Sequence, residues 1–380
     1  MSQQQCLLCH SDLNIIDKDL FDTRFGIDET YNIAQCPNCH LVQLSPQPSQ
    51  EYLQKLYESH YNFSASRHPR ESGDPELRHP RESGDPELRH PHESGDPELR
   101  HPLEGGGPEL RHPRESGDPA LRHPRESGDP EKLNNWYTRL RSLFYRSFFY
   151  PLWLKIDGDI AFHALRGKGR LLDIGCNEGR GLKIFKQHGF EPEGIELNTN
   201  AAQLARQKGF QVYTVDLKDF HPEEKYDVAI LSNVIEHALD PKTMLQDIAR
   251  VLKPGGQLYL STPNINSRFK KGFGRYWVNW HIPFHITFFS KQTLSQLLHD
   301  SGFDVVSIHQ ESPSLWVTLS ILAKCFSKKG KVTKQMRNPI LVMLLLACIR
   351  GFCFPYLWWL NRKGEGDCLV IKAKAKIEAQ

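Results

Sequence analysis

Four cysteines stand in two hooks, Cys6-x2-Cys9 and Cys36-x2-Cys39, with 26 residues between them. Two tight turns that each carry a thiol pair supply the donor set of a closed, structural tetrahedral zinc site. Pro37 and Asn38 favour the turn of the second hook. His10 and His40 follow the hooks, so each also matches the CxxCH pattern of haem attachment, and a redox dithiol is a further alternative. Covalent haem goes with export, and MSQQQCLLCHSDLN shows no basic region followed by an apolar run. Structural Zn2+ on Cys6, Cys9, Cys36 and Cys39 is therefore expected. A second set is LLDIGCNEGRGL at 171–182, an apolar strand ending in Asp173 and a turn with Gly175 and Gly179 before a helix. Small residues there let backbone approach a ligand, and a helix start offers unpaired N–H groups. Alone, the stretch is equally a tight turn of any doubly wound domain. A third set is Glu236 and His237 after an apolar run, with His281 and His285 in WVNWHIPFHITFFS. Imidazoles and carboxylates can take a proton near neutrality; histidines among aromatics are also ordinary packed residues.

Positioning these groups requires strands and helices in alternation. The pattern predicts strands near 170–174, 193–197, 211–215, 226–232 and 257–262, and helices near 180–188, 199–208 and 241–252. Lys253-Pro254-Gly255-Gly256 reads as a helix stop and turn. In open parallel sheets the ligand gathers at the C-terminal strand ends, which places Asp173, Glu196, Asp216, Ser232 and Asn233 on one edge.

The order LDIGCNEG, GIE, VDL, YDVAILSNVIEH, LKPGG and STPN, over roughly 165–310, resembles class I S-adenosylmethionine-dependent methyltransferases. The resemblance implies a Rossmann-like, doubly wound seven-stranded α/β sheet and S-adenosyl-L-methionine as cofactor. It implies that Asp173, Gly175 and Gly179 shape the methionine end, with Cys176 and Asn177 in the same loop. Glu196 would take the ribose hydroxyls beside Leu197, Asp216 and Leu217 would flank the adenine, and Ser232 and Asn233 would close the edge. Asn177 replaces the family's middle glycine, which Asn tolerates by adopting left-handed backbone. Ubiquinone-pathway O-methyltransferases look similar around Glu-x-x-Glu-His, which in them holds a divalent metal. Asn233 stands where their first glutamate would be, so Glu236 and His237 carry over while a divalent metal at the active site does not follow. The cysteine arm, continued by CHLVQLSPQPSQEYLQKLYESHY, is similar to a zinc ribbon found ahead of bacterial methyltransferase domains that often act on sugars or cell-envelope intermediates. There glycine commonly follows each hook; His10 and His40 depart from that and leave a Cys/His ligand exchange open.

Length and composition set the remaining bounds. The 380 residues carry 48 Lys+Arg against 45 Asp+Glu, a net charge of +3 that argues for no nucleic-acid partner. Nine cysteines without an export signal point to thiols or metal ligands in the cytoplasm. The expected division is a zinc-ribbon-like domain at 1–62, a tandem repeat at 67–132, a methyltransferase core at 133–310, a hydrophobic helical insertion at 311–366 and a final strand and tail at 367–380. The repeat is six copies of an 11-residue unit, RHPRESGDPEL; its prolines exclude a continuous helix and its few leucines exclude a core, so a solvated loop is expected. TRLRSLFYRSFFYPLWLK mixes basic and aromatic residues, as a membrane-interface helix or a sheet-covering helix does. SGFDVVSIHQ and DCLVIKAKAK read as the sixth and seventh strands. Between them, PILVMLLLACIRGFCFPYLWWLN is nearly long enough to span a bilayer. A crossing would strand the last strand on the wrong side, so an interfacial or re-entrant element is expected, the alternatives being a buried hairpin or a dimer contact.

The expected function is methyl transfer from S-adenosylmethionine to a small-molecule or lipid-linked acceptor, a hydroxyl of a cell-envelope saccharide or a quinone-like molecule. Glu236, His237, His281 and His285 are the candidate catalytic groups, and the segment 264–289 the candidate acceptor lid. The expected location is cytoplasmic, with peripheral contact to the inner membrane face through the hydrophobic insertion. The alternatives are an RNA methyltransferase with a zinc ribbon and an inactive membrane-associated scaffold.

Overall fold

The computed structural model describes residues 5–60 and 154–377. The tandem repeat and nearly all of the aromatic segment before residue 154 lie outside the described residues. The chain divides into one unit of residues 1–66 with 137–380 and a second of 67–136; the description concerns the first.

The N-terminal arm is an antiparallel meander of β1 (Asn14–Phe21), β2 (Thr30–Gln35) and β3 (Val42–Ser45), followed by helix α1 (Gln50–His60). Tyr31 and Ile33 point to one face of β2 and are buried, as a half-covered strand requires. Their partners are not the meander's own: Leu20, Ile33 and Leu44 pack with Trp277, Trp280 and Ile282, more than 230 positions on. The short strand Thr287–Phe288 then adds to β3 as the fourth strand of this sheet. The arm is thus built onto the core by main-chain pairing and a shared apolar cluster.

The core alternates as its sequence predicts. β4 (Arg170–Ile174), α2 (Arg180–Gln187), β5 (Glu191–Ile195), α3 (Thr199–Gln207), β6 (Val212–Tyr213), β7 (Tyr226–Ser232), α4 (Pro241–Val251) and β8 (Leu252–Pro263) form the doubly wound part. Sequence places the second strand at 193–197; it runs two residues earlier, although Glu196 N–H still donates to Tyr213 O at 3.0 Å. The expected turn at 253–256 is instead an irregularity inside β8, where pairing steps from Tyr226–Leu252 to Val228–Gln257 and Gly255 takes a φ of 75°. Asp240 caps α4 by accepting from Thr243 N, with Pro241 in the first turn.

After helix α5 (Arg268–Phe273), the short strand already described (β9) and helix α6 (Lys291–Asp300), β10 (Phe303–Glu311) forms the sheet edge. Two helices follow, α7 (Ser314–Phe326) and α8 (Pro339–Lys363), before β11 (Cys368–Ala375). The sheet order is β10-β11-β8-β7-β4-β5-β6, with β11 antiparallel between β8 and β10. The seven-stranded expectation therefore holds, with the hydrophobic insertion before the last strand.

Candidate functional site

The four thiols come together. Cys6 Sγ lies 3.4 Å from Cys39 Sγ and Cys9 Sγ 3.3 Å from Cys36 Sγ, and all four lie within 4.8 Å of one another. A tetrahedron of thiolates on zinc has sulfur–sulfur edges of about 3.8 Å, so the donor set fits a closed structural zinc. Each hook is closed by a backbone bond, His10 N to Cys6 O at 3.0 Å and His40 N to Cys36 O at 3.1 Å. His10 and His40 hold φ of 57° and 59°, occupying the left-handed position where glycine would be at ease. Their side chains are exposed, and the cluster is four sulfurs without a histidine.

At the C-terminal edge of the large sheet, the loop after β4 is tied down by Gly175 and Cys176 N–H donating to Ile195 O at 2.8 and 3.2 Å. Asn177 takes φ 55°, and its N–H donates to Glu196 Oε2 at 2.9 Å while Asn198 N–H donates to Oε1 at 2.8 Å. The Glu196 carboxylate is thus aimed by two main-chain amides just past β5. Burial, with the charge of Glu196, pushes Asp173 up to about 7. A Cβ at Gly175 would come 2.8 Å from Val234, so this glycine keeps the loop in contact with the segment after β7. Gly179 serves helix packing: its Cβ would meet Ala205 of α3 at 2.9 Å. Cys176 is buried with Leu182, Ala202 and Val212, and Leu217 is buried in the main core, whereas Leu197 is exposed. Asp216 caps the turn after β6 by accepting from Lys218 N at 3.3 Å. Ser232 donates to Ile160 O at 3.0 Å, and Asn233 is left-handed (φ 53°) with a buried Oδ1 that has no partner among the described residues. Close-approach glycine, oriented carboxylates and an orphaned acceptor on one edge fit S-adenosylmethionine as the sequence anticipates.

Three residues beyond Asn233 the third set converges. The rings of His237 and His285 have centroids 4.6 Å apart, and those of His281 and His285 4.8 Å. His237 Nδ1 lies 2.9 Å from Phe284 O and His285 Nδ1 lies 2.7 Å from Asn279 O. A carbonyl only accepts, so both Nδ1 atoms carry the proton and both Nε2 atoms present a lone pair. His285 Nε2 faces Glu236 Oε1 at 3.9 Å, and that oxygen is buried without a hydrogen-bond partner among the described residues, while Oε2 accepts from Thr262 Oγ1 at 2.9 Å. Burial pushes Glu236 up to about 8 and His237 down to about 4, and holds His281 and His285 well below the ordinary histidine range. At neutral pH the imidazoles are uncharged and Glu236 is largely protonated. The Glu236, His237 and His285 donors all lie within 4.8 Å of one another, and each imidazole has its far N–H on a carbonyl, so they could also ligate a divalent cation.

Sequence reading missed the residues of the N-terminal arm that pack against this cluster. Asp22 accepts from the N–H groups of Arg24, Phe25, Gly26 and Ile27, folding that loop inward. Arg24 Nη1 lies 3.5 Å from His281 Nε2, and Phe25 packs on Phe284 at 5.4 Å between centroids. Tyr57 Oη lies 2.7 Å from His237 Nδ1, and the Tyr57 ring packs on Phe284 at 5.2 Å. The one available signal was DTRFG at 22–26, an Asp positioned to turn a following loop. The second half of segment 264–289 is core rather than a lid: residues 277–289 are buried, with Trp277, Phe284, Ile286 and Phe289 inaccessible and Trp277 Nε1 donating to buried Asp367 at 2.8 Å, while Asn266, Arg268, Lys271 and Arg275 ahead of them are exposed.

Residues 154–308 match the family described as methyltransferase domain. Ubiquinone biosynthesis O-methyltransferase of Klebsiella pneumoniae is 31% identical over 107 residues, covering 26% of this chain and 44% of that protein. The same-named proteins of a Bradyrhizobium species and of Erwinia tasmaniensis are 34% and 31% identical over 103 and 125 residues. They are covered over 41% and 51% of their lengths, with 26% and 30% of this chain, so the chain spans about half or less of the relatives it matches. A methyltransferase structure from Mesorhizobium loti aligns with a TM-score of 0.38 and 18% identity, covering 58% of this chain and 99% of that one. The sheet order, the loop after β4 and the family match together identify residues 154–308 as a class I S-adenosylmethionine-dependent methyltransferase domain.

Proposed function

We propose that this chain transfers the methyl group of S-adenosylmethionine to a hydroxyl of a small or lipid-linked acceptor, either a cell-envelope saccharide or a quinone-like ring. The observation that carries the reading is the pair of bare Nε2 atoms on His237 and His285, beside Glu236 and next to the cofactor loop. The cofactor supplies an electrophilic methyl on a sulfonium. Asp173, Glu196 and the 175–177 loop would hold it, and Asn233 and Glu236 offer buried polar atoms beside that loop. As the acceptor oxygen gains the methyl it becomes a strong acid, so a neutral imidazole of low basicity suffices to take its proton. Beside the histidines, Phe25 and Tyr57 pack on buried Phe284 and Arg24 lies against His281, so the partly exposed rings of Phe25 and Tyr57 and the Arg24 guanidinium are the groups that would meet an acceptor. The names of the curated relatives support O-methylation of a quinone-like acceptor.

The test is to incubate the full chain with methyl-labelled S-adenosylmethionine and, separately, quinols, saccharides and extracted lipid-linked sugars. Label in a hydroxyl-bearing product, lost in His237→Ala and His285→Ala, supports the reading. A protein that binds the cofactor yet labels only RNA, or nothing, sinks it.

A further inference from the structure

Helix α8 is 25 residues, about 37 Å at the usual rise, and is long and apolar enough to cross a membrane by length and composition. Only Ile349, Leu357 and Leu360 of it are buried. Its inward stripe is fixed by polar anchors: Arg350 pairs with Asp157, and Asn361 accepts from Ser312 at 2.7 Å and donates to Glu311 at 3.0 Å. The opposite stripe runs Ile340, Leu344, Cys348, Phe352, Tyr356 and Trp359, all exposed, with Phe352 at 86%. Spacings of four, four, four, four and three put these on one face.

Both ends of the helix are tied to the same folded unit. Ahead of it, Val332 bridges to Phe25, and Thr333 donates from N–H to Arg24 O and from Oγ1 to Thr23 O. Behind it, β11 is paired on both sides inside the sheet. A helix held in this way cannot thread a bilayer, but it can lie along one.

Within the segment that carries the stripe, charge has one sign. From Ser312 to Gly364 the chain carries Lys324, Lys328, Lys329, Lys331, Lys334, Arg337, Arg350, Arg362 and Lys363 and no Asp or Glu. Six of these, from Lys324 to Arg337, are exposed before the helix, and Arg362 and Lys363 stack on Trp358 and Trp359 at 3.7 and 4.0 Å at its far end. Beside that end an open cavity of about 700 Å³ is lined by Phe354, Leu357 and Trp358 together with three cations, Lys155, Lys291 and Arg362, and one acid, Glu311, which is engaged by Asn361. Interfacial aromatics next to cations, flanking an apolar stripe, match the layering of an anionic bilayer surface: hydrocarbon, then headgroup, then phosphate.

We propose that α8 and its basic flanks are a docking surface for anionic lipid, on which the helix lies in the plane of the interface. The stripe supplies burial among acyl chains, and the lysines preceding α8 supply attraction to headgroup charge.

Flotation of the full chain with phosphatidylcholine vesicles, with and without phosphatidylglycerol, tests this. The expected result is binding to the anionic vesicles that salt weakens, and little to the neutral ones. Leu344→Glu/Phe352→Glu/Trp359→Glu, all exposed positions, should release the protein, and Lys328→Glu/Lys329→Glu/Lys331→Glu should weaken binding roughly tenfold or more. Unchanged circular dichroism and unchanged zinc content establish that the variants are folded. A wild type that stays in the soluble fraction, or whose vesicle binding survives the stripe substitutions, overturns the proposal. So does light scattering that shows a dimer dispersed by the stripe variant without vesicle binding, since a second copy is then the occupant.

Discussion

Tyr57 and His237 stand 180 positions apart in the chain, yet the phenol oxygen of one lies 2.7 Å from Nδ1 of the other. Because the same Nδ1–H also points to Phe284 O, Tyr57 helps fix the ring that stands with Glu236 and His285. Tyr57→Phe removes one partner of a shared proton and keeps the ring packing. A rate loss of about tenfold, the worth of one such bond, is expected with cofactor affinity unchanged. Comparing kcat with calorimetric Kd for S-adenosylmethionine checks it; parallel loss of both would show that Tyr57 acts on the fold instead.

Zinc should matter to the histidine cluster through the arm that supplies Arg24, Phe25 and Tyr57. Cys36→Ser removes a buried ligand of the four-thiol cluster. Metal analysis should show loss of about one zinc per chain, a lower melting temperature and impaired transfer, while the loop after β4 still binds cofactor. Retention of full activity without zinc would separate the arm from the site.

Stability should fall as alkali is added, with Glu236 as one cause. Its folded-state value is raised to about 8 by burial, above its ordinary value of 4.5. Such a group stabilises fully below its unfolded value and loses that contribution as pH rises through its folded one. The buried histidines, lowered in the fold, are neutral in both states above their ordinary value of 6.5 and do not oppose this. Thermal melts between pH 6.5 and 9 should show a falling midpoint, and Glu236→Gln, an uncharged isostere, should flatten the slope. An equal slope in the variant assigns the effect elsewhere, Asp173 being the next group to examine.

Cofactor binding should depend on the carboxylate that two amides aim. Glu196→Ala removes the acceptor of Asn177 N–H and Asn198 N–H as well as the expected ribose contact. Calorimetry should show at least about a hundredfold weaker binding, the loss of a charge-assisted pair of hydrogen bonds. Asn177→Gly, by contrast, places a residue at ease in φ 55° and should leave affinity within about twofold.

What sequence made legible was local. Period and punctuation located β4, β7, α2 and α4 closely, because a buried parallel strand and a capped helix each leave a continuous trace in neighbouring residues. The four thiols were legible for the same reason, each hook being a single turn. Arg24, Phe25 and Tyr57 were not, since their partners lie 180 to 260 positions away and no local pattern encodes a contact that depends on β3 pairing with β9. Segment 264–289 was misjudged as a lid because aromatic richness looks alike in a cover and in a core. Burial of Trp277, Trp280, Ile282 and Phe288 under the N-terminal sheet decides for core over that half of the segment.

The pairing of β3 with β9 has an evolutionary consequence. It anchors the arm ahead of α1, the Tyr57–His237 contact holds α1 near its end, and Ile160 O, which accepts from Ser232 and Ser261, anchors the chain on the far side of the repeat. The histidine cluster is thus tied to both sides of the repeat by contacts that lie outside residues 67–132. Replication slippage could add or remove 11-residue copies between 67 and 132 without moving Tyr57 from His237, so selection on activity would leave the copy number free to drift.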